Sequence, residues 1–134
     1  MEKISENSLV VVCPLYRDVK SFLQLRDEIL ARIKPLQKFH RTVFWVVDDS
    51  AGFDPDVESL RSLDHVHVVD VPFNVGHQRA LVYGLRKLSL HISEETVIVT
   101  MDSDGEDKPD DLPRLLAALR AEPIDLQKIC RISV

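Results

Sequence analysis

Four short runs of apolar, largely β-branched residues decide what this chain can become. They cover residues 9–13 (LVVVC), 42–47 (TVFWVV), 66–71 (VHVVDV) and 96–101 (TVIVTM), and residues 129–134 look like a fifth strand just starting. A strand with one face in water alternates apolar and polar residues, whereas a strand buried on both faces is free to be apolar throughout. Runs this continuous require cover on both sides. Segments at helical spacing lie between them. Phe22, Leu25, Ile29 and Ile33 recur behind Asp18, which is placed to cap a helix that Pro35 stops. Asp54 and Pro55 form an N-cap and first helical position, opening a short helix through residue 63. From Gly76 a helix carries Ala80, Leu81, Gly84, Leu85 and Leu88 on one stripe, and a last helix spans 109–121.

Strands alternating with helices predict an α/β fold: a mostly parallel sheet with helices on both faces and right-handed crossovers. The 134 residues make one domain, 1–134, with about four βα units. In such sheets the ligand site lies beyond the carboxyl ends of the strands. The notable polar residues all fall there: residues 14–18 (PLYRD), 48–50 (DDS), 74–79 (NVGHQR) and 102–106 (DSDGE). They should converge on one rim.

Composition narrows the function classes. A formal charge of -5, from 17 Lys+Arg against 22 Asp+Glu, offers no basic face for nucleic acid. Apolar runs of about five residues fall far short of the roughly 20 a membrane helix needs. Two cysteines, Cys13 and Cys130, make no disulfide framework, and no secretory leader opens the chain. A reduced, cytoplasmic setting is expected.

Asp102 and Asp104 are two apart on an extended segment, so their carboxylates point to the same side. Such a pair repels itself unless a cation intervenes, and hard oxygen ligands suit Mg²⁺ or Mn²⁺, with Glu106 as a third oxygen. An acidic, solvated loop before a helix accounts for the same spacing equally well. An EF-hand fails: counting from Asp102 puts Asp107 where Gly is needed and Pro113 where Glu is needed. An aspartyl-nucleophile phosphohydrolase is a distant alternative, since its motif belongs on a first strand. Neither glycine-rich phosphate fingerprint is present. His65 and His67 alternate on the third strand and read as exposed strand positions rather than zinc ligands. His77 and Arg79 stand at a helix start, where a phosphate is readily held, although Arg79 reads equally as a solvated helix residue. Tyr16 offers a stacking surface for a base or, equally, a buried ring.

Taken together these segments resemble the nucleotide-binding half of a family 2, GT-A fold glycosyltransferase, over roughly residues 8–120. The family's Pro-x-Tyr-Asn-Glu corresponds to residues 14–18, and its Val-Asp-Asp-Gly-Ser to Val47, Asp48, Asp49 and Ser50. Its Asn-x-Gly-His-Gln-x-Ala-Leu pattern corresponds to residues 74–81. The Met-Asp-Ala-Asp-Leu-Gln-x-Pro-Pro-Glu segment of the polyprenyl-phosphate (dolichyl-phosphate mannosyltransferase-like) branch corresponds to residues 101–110. This chain departs at Arg17 for Asn, Asp18 for Glu, Ser50 for Gly and Glu106 for Gln.

The resemblance implies a Rossmann-like GT-A sheet and a nucleoside-diphosphate sugar donor. It places Pro14, Tyr16, Asp18, Val47 and Asp49 around base and ribose, with Ser103 and Arg79 near the diphosphate. Asp102, Asp104 and Glu106 would hold Mg²⁺ or Mn²⁺. It implies transfer with inversion to an acceptor such as a polyprenyl phosphate, with membrane contact peripheral in a longer chain. The acceptor-binding half and any catalytic base would follow the fifth strand, so no catalytic residue is assigned. A relative that binds nucleotide diphosphate or a partner without turnover is the alternative. A sheet ending on an apolar fifth strand also predicts self-association through its edge.

Overall fold

The computed structural model describes residues 4, 7–93, 96–103, 108–121 and 129–131. Strands β1 (Ser8–Leu15), β2 (Arg41–Asp48), β3 (Val66–Asp70), β4 (Val97–Thr100) and β5 (Ile129–Arg131) form one sheet in the order β3-β2-β1-β4-β5. Every pairing is parallel. The connecting helices are α1 (Val19–Ile33), α2 (Glu58–Arg61), α3 (His77–Leu88) and α4 (Leu112–Ala121). Short 3-10 turns at Pro55–Val57 and Pro109–Asp111 lead into α2 and α4, each with proline in its first turn. The expected α/β, Rossmann-like architecture is what the chain adopts.

The apolar runs are continuous because each central strand feeds two cores. Leu9, Val11, Cys13 and Leu15 of β1 join Phe44 and Val46 of β2 in one core under α1, α2 and α4. Val10 and Val12 join Val43, Trp45 and Val47 in the other, against Ala80 and Leu88 of α3. The helix stripes read from the sequence face these cores: Phe22, Leu25, Ile29 and Ile33 are all buried. Phe22 meets Phe44 edge-on, with ring centroids 5.9 Å apart.

Gly84 brings α3 onto the sheet. A β-carbon there would collide with Cγ2 of Val47. That close approach lets the Trp45 indole N–H donate to the Gly84 carbonyl at 3.0 Å, so the buried indole is satisfied.

Two expectations need correction. The apolar run read as the first strand stops at Cys13, before Pro14, yet the strand runs to Leu15 with Pro14 opposite Val47. The β1–β4 ladder closes at Val12 opposite Thr100. The Val12 carbonyl faces β4, accepting the Met101 N–H, so Pro14, two residues on, also faces β4, where no ladder remains. The N–H that proline lacks has no strand partner to lose. Second, His65 does not alternate with His67 on β3. It precedes the strand at φ 60°, in left-handed conformation, while His67 lies in β3 beside Trp45 at 5.9 Å between ring centroids.

Candidate functional site

The strand order reverses between β1 and β4, and there the two strands part after Val12 and Thr100. Such a reversal opens a crevice at the carboxyl ends of the strands. Pro14 lines it from β1 and Ser103 from beyond β4. The Ser103 hydroxyl, 4% exposed, donates to the Pro14 carbonyl at 3.4 Å. That bond joins the two lips of the crevice.

The end of β2 contributes Asp48, Asp49 and Ser50, all buried. Asp49 accepts the Val75 N–H at Oδ1 (2.9 Å) and the Gly76 N–H at Oδ2 (3.1 Å). Its carboxylate thus fixes the loop that enters α3, where Gly76 sits at φ 88°. Asp48 is different. Its Oδ1 accepts the Ser50 N–H at 3.0 Å, while its buried Oδ2 has no partner among the described residues. A buried carboxylate oxygen without a partner is costly.

At the start of α3, His77 Nε2 lies 2.6 Å from Asp102 Oδ1 at the end of β4. An ionised carboxylate only accepts, so Nε2 carries the proton in this contact. The loops following β2, β3 and β4 are therefore linked in sequence: Asp49 holds residues 75 and 76, and His77 holds Asp102.

The residues expected around a donor divide by exposure. Tyr16 is 51% exposed, with the Arg17 guanidinium 5.8 Å from its ring centroid. Asp18 is partly exposed at the N-cap position of α1, but its side chain makes no capping bond, contrary to the capping role expected of it. Its carboxylate is not spent on the helix. Val47 is fully buried in the core beneath α3, between β1 and β3 in the sheet. Arg79 is exposed on α3. Asp102 is partly exposed, while Asp104 and Glu106 lie outside the described residues. Among the described residues no cluster of three His, Cys, Asp or Glu side chains is placed to hold a metal.

Sequence reasoning missed two features. The His77–Asp102 contact joins positions 25 apart, which no local pattern announces. The division of labour between Asp48 and Asp49 was equally invisible, since adjacent carboxylates look alike until their partners are seen. No described helix is long and apolar enough to cross a membrane.

The family described as "Glycosyl transferase family 2" matches residues 10–132. The undecaprenyl-phosphate 4-deoxy-4-formamido-L-arabinose transferase of Proteus mirabilis (strain HI4320) is 26% identical over 120 residues, covering 87% of this chain and 34% of the relative. The chain thus spans about a third of the length of that curated relative. With the family match running from β1 to the end of β5, across all four strand-end loops, the chain belongs to glycosyl transferase family 2.

Proposed function

We propose that this chain is the donor-binding portion of a metal-dependent glycosyltransferase, its single domain spanning residues 1–134. It takes a nucleoside-diphosphate sugar and serves transfer, with inversion, to a lipid-phosphate acceptor. The observation that carries the reading is the linked set of strand ends around the crevice between β1 and β4, with an unpartnered Asp48 oxygen at the end of β2. The relative named for undecaprenyl phosphate supports the acceptor class.

Each residue has a chemical task. The exposed Tyr16 ring stacks on the base, and the uncommitted Asp18 carboxylate accepts from a base or ribose donor. Pro14 and the buried Val47 support the floor from beneath. Asp48 Oδ2 gains the donor group it lacks, and Asp49 holds the neighbouring loop in place. Ser103 stands on the diphosphate side of the crevice, while the Arg79 side chain lies in the groove on α3 with Val82 and Arg86. The carboxylates of Asp102, Asp104 and Glu106 are hard oxygen donors that suit Mg²⁺ or Mn²⁺. Such a cation neutralises charge on the departing diphosphate. A phosphate acceptor is already ionised at neutral pH and attacks the anomeric carbon without a general base.

Calorimetry with nucleoside diphosphates, with and without Mn²⁺, tests the reading. Binding is expected only with the cation, and Asp102→Asn is expected to remove it. Metal-independent binding, or an unaffected variant, overturns the metal assignment. Binding without donor hydrolysis or transfer favours a binding portion that does not turn over by itself.

A further inference from the structure

The acidic residues of this chain avoid one stretch. None of the 22 Asp and Glu falls between Asp70 and Glu94, although the chain as a whole carries a charge of -5. That stretch contains α3, with Arg79, Arg86 and Lys87 as its cations. Ala80, Gly84 and Leu88 bury the inner side of α3 against the sheet. Val82 is two residues from both Ala80 and Gly84, about 200° around the helix, and so points outward. It is 48% exposed. Arg79 and Arg86 flank it at i-3 and i+4, and with Val75, Gln78 and Tyr83 they line an open groove of about 380 Å³.

Exposed apolar side chains concentrate in the same stretch. Phe73 just before α3 is 64% exposed, and Leu90 just after it is 71% exposed. Lys87 lies with its ammonium 5.5 Å from the Tyr83 ring centroid, adding a cation to the same helix. An outward face that sets Val82 between two arginines, on a helix without acid, differs from an ordinary solvated face, where both signs of charge are interspersed. It matches the chemistry of an interfacial helix, whose apolar side chains enter the acyl boundary while its cations meet anionic headgroups.

We propose that the outer face of α3, centred on Val82 and Arg86, docks this chain on an anionic lipid bilayer. The proposal goes beyond the transfer reaction and stands on exposure and charge alone. It gains a functional sense from that reaction: His77 at the start of α3 touches Asp102, so docking α3 brings the crevice to the surface where a lipid phosphate resides. An acidic protein or a second copy of this chain are the rival occupants.

Vesicle co-sedimentation decides between them. The 134-residue chain is expected to pellet at low salt with vesicles of phosphatidylcholine and phosphatidylglycerol in equal parts, and not with phosphatidylcholine alone. High salt should release it. Arg86→Gln is expected to lower partition about fivefold, the effect of one surface cation. Arg86→Glu with Lys87→Glu is expected to abolish it, and Val82→Asp to weaken it strongly, with circular dichroism melts confirming folded variants. Equal binding to both vesicle types, no binding to either, or variants that bind as the parent does would each overturn the proposal. So would a dimer, seen by sedimentation velocity, that Arg86→Glu dissolves. Nucleotide diphosphate binding measured on the same samples keeps the two readings apart: Arg86→Glu is expected to retain it, so its loss in Asp102→Asn alone speaks only to the donor site.

Discussion

Gly84 shows how one residue can settle the distance between two layers. Alanine is the better helix former by about 1 kcal/mol. Here that gain is outweighed, because the added methyl meets Cγ2 of Val47, a side chain fully buried between strand and helix. Overpacking of this kind costs about 1–3 kcal/mol, and it threatens the Trp45 indole bond to the Gly84 carbonyl. Gly84→Ala is therefore expected to destabilise the fold by about 1–2 kcal/mol, read from urea unfolding midpoints. His67 makes a second case at this scale. Burial, with the charges of His65 and His91 adding to it, pulls its pKa below the usual imidazole value. The folded chain then binds fewer protons than the unfolded chain just below pH ~6.5, so stability rises with pH through that window and is lost as pH falls. Unfolding midpoints taken on either side of that pH should show this slope, and His67→Gln should flatten it. An unchanged slope in the variant would assign the titration elsewhere.

Asp49 works between elements. It ends the run of β2 and holds two consecutive N–H groups at the entrance to α3, positions 26 and 27 further along the chain. Asn at this position keeps the size and one acceptor but turns an NH₂ toward an N–H and loses the charge that strengthens both bonds. Both donors are partly exposed and the Gly76 N–H keeps a second acceptor in Asn74 Oδ1 at 3.2 Å, so Asp49→Asn is expected to lower stability by about 0.5–1.5 kcal/mol, the net worth of a weakened hydrogen bond. It should also weaken nucleotide diphosphate binding, since the loop it releases carries His77. Thermal melts and calorimetry on one preparation check both. The elements themselves were legible in the sequence because strand and helix periods are local: the buried positions of α1 and the Asp54 cap on the turn before α2 lie where spacing put them. Pro14 was misplaced because its tolerance depends on where β4 stops pairing, a fact that lies 86 residues away (Thr100 minus Pro14). The rim of the site was legible for the same reason as the strands, each polar cluster standing at the end of an apolar run. Its internal wiring was not, because His77 with Asp102 and Asp49 with the α3 entrance are contacts across the fold.

For the whole molecule, the sheet order decides which surfaces are exposed to other chains. Its two edges are β3 and β5, and they are not equally guarded. Beside β3, the Arg61 guanidinium meets both oxygens of Asp70, at 2.9 and 3.0 Å, and Glu58 at 3.0 Å. Charges on an edge strand oppose the approach of another chain. The β5 edge is a three-residue segment of isoleucine, cysteine and arginine, with no strand beyond it among the described residues. Among the described residues nothing pairs with its outer backbone N–H and C=O groups, and a second copy of the strand would satisfy them. Self-association is therefore expected to run through β5 rather than β3. Sedimentation velocity should show a concentration-dependent shift. Arg61→Ala, which exposes Asp70 on the other edge, is expected to leave the shift unchanged. A clean monomer over a broad concentration range would remove the β5 edge from consideration, and a response to Arg61→Ala alone would move the contact to β3.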